Sequence, residues 1–478
     1  MNGFEQKVAE LLKSGTLFSK SRPAYVCRAP GRLDLMGGNV DYTGGLVFQA
    51  TIREATWAAA QARDDKRIVF WNPQMQREGW RDQVEFDLAA LTDEDAVRKL
   101  VNSSPQTRWT AYVLGIFYLL RLRYPQQVMA GASVYIESEV PLNKGVSSSA
   151  AIEVAVMKAA SATYGIPLAG VELAELCQWV ENVIAESACG IMDQAASVLG
   201  DEGYILPLLC QPCSPKPLVK LPAGLRCWGI DSGVRHAVTG IEYEAARAAA
   251  FVGYRMICDR EHLPATLDHS GRIPRFVEPR WNGYISNIPP SIFRSRYEVD
   301  LPLLASGAEI QAAGQPHIDP YTTIRPEVTY RVRACTRYAV EENQRIEMFV
   351  ELARGAITDH SENTFRLMGD LMFQSHWSYT ECGLGCEATD LLIELVRAEC
   401  SEGELYGAKI TGGAAAAQWQ CWARRTRMRP STGSFANTQQ SGDVSLTCSK
   451  AVQWAQIVLE SRCKGRTHER NRSGRDKT

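Results

Sequence analysis

Residues Pro141-Leu-Asn-Lys-Gly-Val-Ser-Ser-Ser-Ala-Ala151 constrain this chain more than any other stretch, because a glycine and three serines stand where one periodicity gives way to another. Residues 133–140 alternate in the period of a strand, and residues 149–160 are alanine-rich in the manner of a helix. A strand that hands over to a helix in this way leaves free backbone amides at the helix N-terminus, which favour an anion. Serine hydroxyls there can bind phosphate oxygens or a magnesium ion that carries them. The segment predicts triphosphate binding through Lys144, Gly145, Val146, Ser147, Ser148, Ser149 and Ala150. A serine-rich N-cap is the other reading of the same residues. The stretch is not a Walker motif, since no Gly-Lys-Ser/Thr follows four residues after a glycine.

Two further segments carry chemistry. In Ala29-Pro-Gly-Arg-Leu-Asp-Leu-Met-Gly-Gly-Asn-Val-Asp-Tyr-Thr-Gly-Gly45, five glycines surround Arg32, Asp34, Asp41 and Tyr42. That describes a tight loop bringing charges close to a ligand, or more plainly a turn-rich hairpin. Leu173, Leu176, Val180, Val183 and Ile184 recur at helical spacing, so residues 171–186 predict a helix with one apolar face that also bears Glu181. After it comes Cys189-Gly-Ile-Met-Asp-Gln194, an acid beside a glycine, which a simple cap would also explain.

At 478 residues and 45% apolar composition, the chain is long enough for two cored lobes. The Pro-rich stretch 206–222, followed by an expected strand at 221–230, marks the boundary, which places one domain at 1–215 and a second at 216–413. Residues 270–330 read as an irregular insertion of weak periodicity. The formal charge of -2 speaks against nucleic acid or an anionic membrane as partner. Residues 1–15 are polar and amphipathic, and no apolar run approaches the roughly 18 residues of a membrane span, so the cytoplasm is the expected compartment. The 14 cysteines are scattered, as suits reduced thiols, and the lone Cys210/Cys213 pair has no second pair at zinc spacing.

Together the three segments resemble the motifs of the GHMP kinase family, and the sugar 1-kinases of its galactokinase and L-arabinokinase branch more than its mevalonate or homoserine branches. The resemblance extends to Trp228-Gly-Ile-Asp-Ser-Gly-Val-Arg-His236, to Tyr243 and to Tyr406-Gly-Ala-Lys-Ile-Thr-Gly-Gly413. Cys382-Gly-Leu-Gly385 and Met192-Asp-Gln194 are similar to plant-type L-arabinokinase domains. It implies a two-lobed α+β architecture, with an N-terminal ATP-binding lobe like the second domain of ribosomal protein S5 and a ferredoxin-like C-terminal lobe. It implies ATP-dependent phosphorylation of the anomeric hydroxyl of L-arabinose or galactose, with Mg2+. By resemblance, Asp193 faces that hydroxyl and Arg32 bridges Asp193 and the transferring phosphoryl group. Ser149 and Glu181 serve the metal, and Asp41, Tyr42, Gly190 and Tyr243 serve the sugar. Trp109 matches an adenine neighbour, or is a core aromatic. A sugar-binding regulator without turnover is the rival that the same resemblance allows.

Two departures stand out. Galactokinases read Gly-Glu-His-Thr-Asp-Tyr where this chain has Gly37-Gly38-Asn39-Val40-Asp41-Tyr42. In that branch the Glu and His reach toward the exocyclic hydroxymethyl, which L-arabinopyranose lacks, so their loss favours arabinose. The family's third motif, Thr-Gly-Gly-Gly-Ser-Gly-Gly-Thr-Val, gives way after Gly413 to four alanines and Gln-Trp-Gln-Cys-Trp. With suitable codons, deleting one base from Gly-Ser-Gly-Gly-Thr-Val-Ala-Val-Leu reproduces all of residues 414–422. Residues 423–478 carry 12 Lys+Arg against 4 Asp+Glu, in an otherwise acidic chain. We read residues 414–478 as a frameshifted, non-native basic tail, which would leave the second lobe without its closing strands; a natural basic tail for an acidic partner is the other reading.

Overall fold

The computed structural model describes residues 3–222, 225–235, 240–269, 274–314, 317, 319–400, 405–411 and 416–424. The first part of the chain forms α1 (Gly3–Ser14), β1 (Tyr25–Met36), β2 (Leu46–Ala62), β3 (Arg67–Trp71), β4 (Gln83–Asp87), α2 (Glu94–Val101), α3 (Ala111–Arg123) and β5 (Ala132–Ser138). There follow α4 (Ser148–Thr163), α5 (Gly170–Trp179), α6 (Met192–Leu199), β6 (Tyr204–Leu209) and the short β7 (Ser214–Pro215) and β8 (Val219–Lys220). The strands make one sheet in the order β4-β3-β5-β2-β6-β7, with β1 paired to β2 and β8 to β6. β2 organises this sheet. Its Thr56–Ala62 half pairs with β5, its Leu46–Ala50 half pairs with β6, and β1 runs antiparallel along it. Both faces of β2 are covered, so its burial is nearly continuous and alanines fill it where helices press close.

On one face, α3, α4 and α5 bury Phe117, Val154, Val156 and Leu176 against Phe70, Val134 and Ile136. The other face belongs to the second lobe. Its elements are β9 (Leu225–Arg235), α7 (Ile241–Arg260), the hairpin β10 (Thr266–Asp268) with β11 (Arg275–Val277), the single turn α8 (Pro290–Ile292), β12 (Ala305–Ser306), α9 (Gly307–Ala312) and β13 (Thr329–Tyr330). The long helices α10 (Val332–Asp359) and α11 (Glu362–Glu381) follow, then α12 (Glu387–Glu399), β14 (Leu405–Thr411) and β15 (Ala416–Arg424). One apolar cluster runs from Leu33 and Phe48 of the first sheet into Tyr254, Ile346 and Phe349 of α7 and α10. Phe48 meets Phe349 edge-on at 5.8 Å, and Asn343 of α10 accepts the Leu46 amide at 2.7 Å. The boundary drawn in 206–222 therefore separates chain segments, while the core is continuous across it.

Two expectations change. Residues 270–330 are not merely irregular: besides the short pair β12–β13 and the β11 partner of β10, they bury Trp281, Ile285, Phe293 and Tyr297 in the shared core. Their periodicity is weak because short turns and single aromatic anchors replace long elements. Secondly, the second lobe does not end at Gly413. β15 is the central strand of the sheet β14-β15-β9, antiparallel to both neighbours, with Gln418 opposite Thr411 on one side and Asp231 on the other. Ala416 and Ala417 thus open a strand, not a helix. Ladder pairing is made by main-chain groups, and residues 416–424 offer Gln, Trp and Cys without a Gly or Pro to interrupt it. Ala414, Ala415 and residues 425–478 lie outside the described residues.

A buried ion pair ties the two sheets together. Lys409 Nζ of β14 meets Asp34 Oδ2 of β1 at 2.9 Å, with neither side chain exposed. Gln49 donates to Asp34 Oδ1 at 2.6 Å, and the Asp34 amide donates to Thr411 Oγ1 at 3.0 Å. Removing one partner leaves a buried charge, which costs about 3–5 kcal/mol. Lys409→Met should lower the unfolding free energy from urea titration by that order, and the midpoint with it, whereas the double change Asp34→Asn/Lys409→Met, which buries no charge, should recover most of the loss. Equal midpoints for Lys409→Met and the parent would remove the pair as a tie between the sheets.

Candidate active site

The loop between β5 and α4 is built on alternating left-handed residues. Asn143, Gly145 and Ser147 have φ of 56, 66 and 61°. Such a backbone turns successive amides toward one concave side, which together with a helix N-terminus makes an anion-binding nest. Ser147 is the N-cap of α4 without a side-chain capping bond, and its buried hydroxyl has no partner among the described residues. An unpaired buried hydroxyl is costly unless a ligand completes it. β1 passes directly beneath: the Arg32 amide donates to the Val146 carbonyl at 3.1 Å, and a side chain at Gly31 would come within 2.7 Å of that carbonyl.

Arg32 is nearly buried and spans two elements. Its Nε and Nη2 donate to Asp193 Oδ1 at 2.9 and 2.6 Å, while Nη1 donates to the Gly145 carbonyl. Burial alone would lower its pKa, but Asp193 and then Asp34 outweigh burial and raise it. Asp193 occupies the first turn of α6, and its side chain keeps 22% exposure. A fixed cation and a partly open carboxylate therefore lie beside the amide nest.

Behind them sit two buried acids. Gln194 Nε2 donates to Glu181 Oε2 at 2.6 Å and to Glu153 Oε2 at 3.1 Å. Glu153 Oε1 has no partner among the described residues. Burial, then Asp193, pushes Glu181 up to about 7, against hydrogen bonds from Ser149, Cys189 and Gln194. Burial and Glu181 raise Glu153 well above the carboxylate range. The expected helix over 171–186 is interrupted here: α5 ends at Trp179, and Val180–Ile184 is a π-turn holding Glu181. Its wider turn is invisible to a 3.6-residue pattern and re-aims the carboxylate toward Ser149.

Next to Asp193 opens a cavity of about 480 Å³ lined by Asp41, Tyr42, Gly190, Arg247 and Tyr321 among others. Gly190 is required by contact, because a Cβ there would overlap the Asp41 carboxylate. The Met192 amide donates to Asp41 Oδ2 at 3.4 Å, and Asp41 Oδ1 has no partner among the described residues. Tyr243 is not a lining residue; its ring stands edge-on to Tyr42 at 6.0 Å, supporting that wall. Trp109 is placed in the core of the first lobe, 7% exposed, with its indole N–H given to the Arg81 carbonyl at 2.9 Å. Its packing is that of a core aromatic. Among the described residues no cluster of His, Cys, Asp and Glu forms a closed metal cage. Sequence reasoning missed Glu153, which hides in an alanine-rich helix, and Arg247 with Tyr321, which only the fold brings to the cavity.

Burial, then Asp193, raises Asp41 to about 6 from 3.8. Between those values the folded chain holds a proton that the unfolded chain has released, so stability falls as pH rises through the window and levels off above it. Asp41→Asn abolishes this contribution. Urea titrations of the ligand-free chain should show the variant gaining on the parent between about pH 4 and 6, by at most about 3 kcal/mol; a constant difference across that range would mean Asp41 is not raised.

The family models "GHMP kinases N terminal domain" and "Galactokinase galactose-binding signature" match residues 111–201 and 16–62. L-arabinokinase of Arabidopsis thaliana is 35% identical over 454 residues, covering 86% of this chain and 43% of that one. Galactokinase of Chloroflexus aggregans is 36% identical over 235 residues, covering 49% and 56%. This chain thus spans less than half the length of the first relative and little over half of the second. In fold it is similar to the crystal structure of Lactococcus lactis galactokinase complexed with galactose, with a TM-score of 0.64 and 20% identity over 87% of this chain and 90% of that one. With the motifs, the two-lobed fold and the site geometry, these likenesses mean that the chain belongs to the GHMP kinase family, in its galactokinase and L-arabinokinase branch.

Proposed function

We propose that this chain transfers the γ-phosphoryl group of ATP to the anomeric hydroxyl of a monosaccharide, L-arabinose or galactose, giving the sugar 1-phosphate. The observation that carries the proposal is the position of Arg32, whose guanidinium binds both Asp193 and the Gly145 carbonyl of the anion-binding loop. In the reaction the sugar oxygen bonds to phosphorus, the bond from phosphorus to the leaving ADP oxygen breaks, and the hydroxyl proton passes to the Asp193 side. Asp193, partly open beside the cavity, holds that proton; Arg32, fixed and always charged, balances the negative charge that spreads over the phosphoryl oxygens. The amides of 144–150 hold the triphosphate, and Asp41, Tyr42 and Gly190 shape the sugar end.

Ser149 and Glu181 fit a magnesium ion. They offer oxygen donors, and the buried Glu153 carboxyl oxygen beside them has no hydrogen-bond partner among the described residues. Mg2+ bound there would neutralise triphosphate charge. For the sugar, L-arabinose is the first choice. Neither Gly38 nor Asn39 lines the cavity, so the partners that galactokinases offer to the hydroxymethyl have no substitute at those positions. The name of the Arabidopsis relative and the galactose in the Lactococcus structure set the same two candidates.

A sugar panel with a phosphate-transfer readout tests this reading: L-arabinose should exceed galactose in kcat/KM, and a tenfold advantage for galactose, about 1.4 kcal/mol, would overturn the preference. Asp193→Asn and Arg32→Ala should each remove turnover while calorimetric sugar affinity changes far less, because their work lies in the transition state. Near-normal turnover in either would exclude that residue from the mechanism, and sugar binding without turnover in the parent chain would make it a sugar-binding regulator.

A further inference from the structure

The 270–330 insertion forms a wall of the sugar cavity. Asp319 and Tyr321 come from it, and Arg247 comes from α7. Asp319 accepts Arg247 Nε and Nη2 at 2.8 Å each, a bidentate pair in which both side chains are at least 95% buried. The guanidinium carbon also lies over the rings of Tyr42 and Tyr321, at 4.9 and 5.4 Å from their centroids. One edge is thereby used by Asp319, and two tyrosine rings pack against the cation. What remains is Nη1, buried and without a hydrogen-bond partner among the described residues. Three other cavity-lining residues share that condition, Asp41 through Oδ1 and Tyr284 and Tyr321 through their hydroxyls. Arg247 Nη1 is a donor, Asp41 Oδ1 an acceptor, and the two hydroxyls can be either.

A buried, unsatisfied guanidinium N–H is costly, and a fork held this rigidly cannot turn to find water. A ring of hydroxyls, each able to donate and accept, is a ligand of the chemistry such atoms take. The position also answers a question that the sequence raises. This chain lacks the Glu-His that galactokinases aim at the substrate's edge, and Arg247 is a cation placed in the cavity by a different element.

We infer that Arg247 is a sugar-specificity residue whose Nη1 donates to one ring hydroxyl of the bound pyranose, and that Asp319, from the insertion, is the positioning residue that holds it. The inference rests on the kinase reading for the identity of the cavity's ligand. It gives the insertion a role: the insertion supplies one side of the pocket.

Calorimetry on the full chain, with L-arabinose, galactose and the monodeoxy-L-arabinoses as probes, tests it independently of turnover. In the parent chain one deoxy position should weaken binding at least tenfold. Arg247→Met should weaken the parent sugar to a similar degree, leave ATP affinity within twofold, and reduce the penalty of that one deoxy sugar to less than twofold. A loss spread evenly over all the sugars, or an unchanged deoxy penalty, would overturn the inference. Should Arg247→Met fail to fold, the nearly isosteric Asp319→Asn serves, with an expected weakening of threefold or more and the same flattening; parent-like values there overturn it equally. If the parent chain binds neither L-arabinose nor galactose, the kinase reading falls along with the inference. If it binds one of them and the variants do not differ from it, the inference alone falls.

Discussion

The Arg32 guanidinium is the interaction on which the rest of the site depends. It rises from β1, is fixed at its amide by the Val146 carbonyl, and at its far end grips both Gly145 and Asp193. Two residues along the same strand, and so on the same face, Asp34 grips Lys409 of the second lobe. One strand face therefore carries both the Arg32–Asp193 pair of the candidate site and the pair that joins the sheets. Asp34 also contributes to raising Arg32, so the two pairs share one field. Moving the second lobe would disturb the site through β1 itself.

Around that cation the fold gathers four carboxyl groups, Asp41, Glu153, Glu181 and Asp193, and the crowding of the buried ones favours their protonated forms. Burial raises Asp41 and Glu181 to values near neutrality, and each feels the charge of Asp193. A stable ligand-free protein would replace some of these acids with apolar groups. Their retention is intelligible if cationic and hydroxyl-bearing ligands complete the site. The π-turn at Val180–Ile184 and the left-handed Ser147 fit the same picture, since irregular backbone is tolerated where it aims a functional group.

The second lobe shows how loosely a strand's place depends on its sequence. Residues 416–424 depart from the family's glycine-rich wording, yet they pair on both sides between β9 and β14. Main-chain groups make that ladder, so a segment with extended propensity can occupy it even where its side chains differ. What a changed sequence alters there is the chemistry that side chains and glycine turns would supply at the strand's start.

The sequence alone determined the local layout: a strand-loop-helix unit, glycine-framed charges at Arg32 and Asp41, and an acid at Asp193 close behind a glycine. These were legible because short-range geometry and residue type decide them, and the motifs led to the family. Residues 171–186 were legible as helix but not as an interrupted one, since a single extra residue in a turn leaves the apolar spacing almost unchanged. Trp109 could not be assigned by sequence, because an aromatic looks alike in a core and beside a base until its neighbours are known. Only the tertiary structure decided that Glu153 faces Glu181, that β15 lies centrally in its sheet, and that Arg247 and Asp319, 72 residues apart, close one wall of the cavity. Those are long-range pairings between elements, set by how two lobes pack on one sheet, and no periodicity along a chain records them.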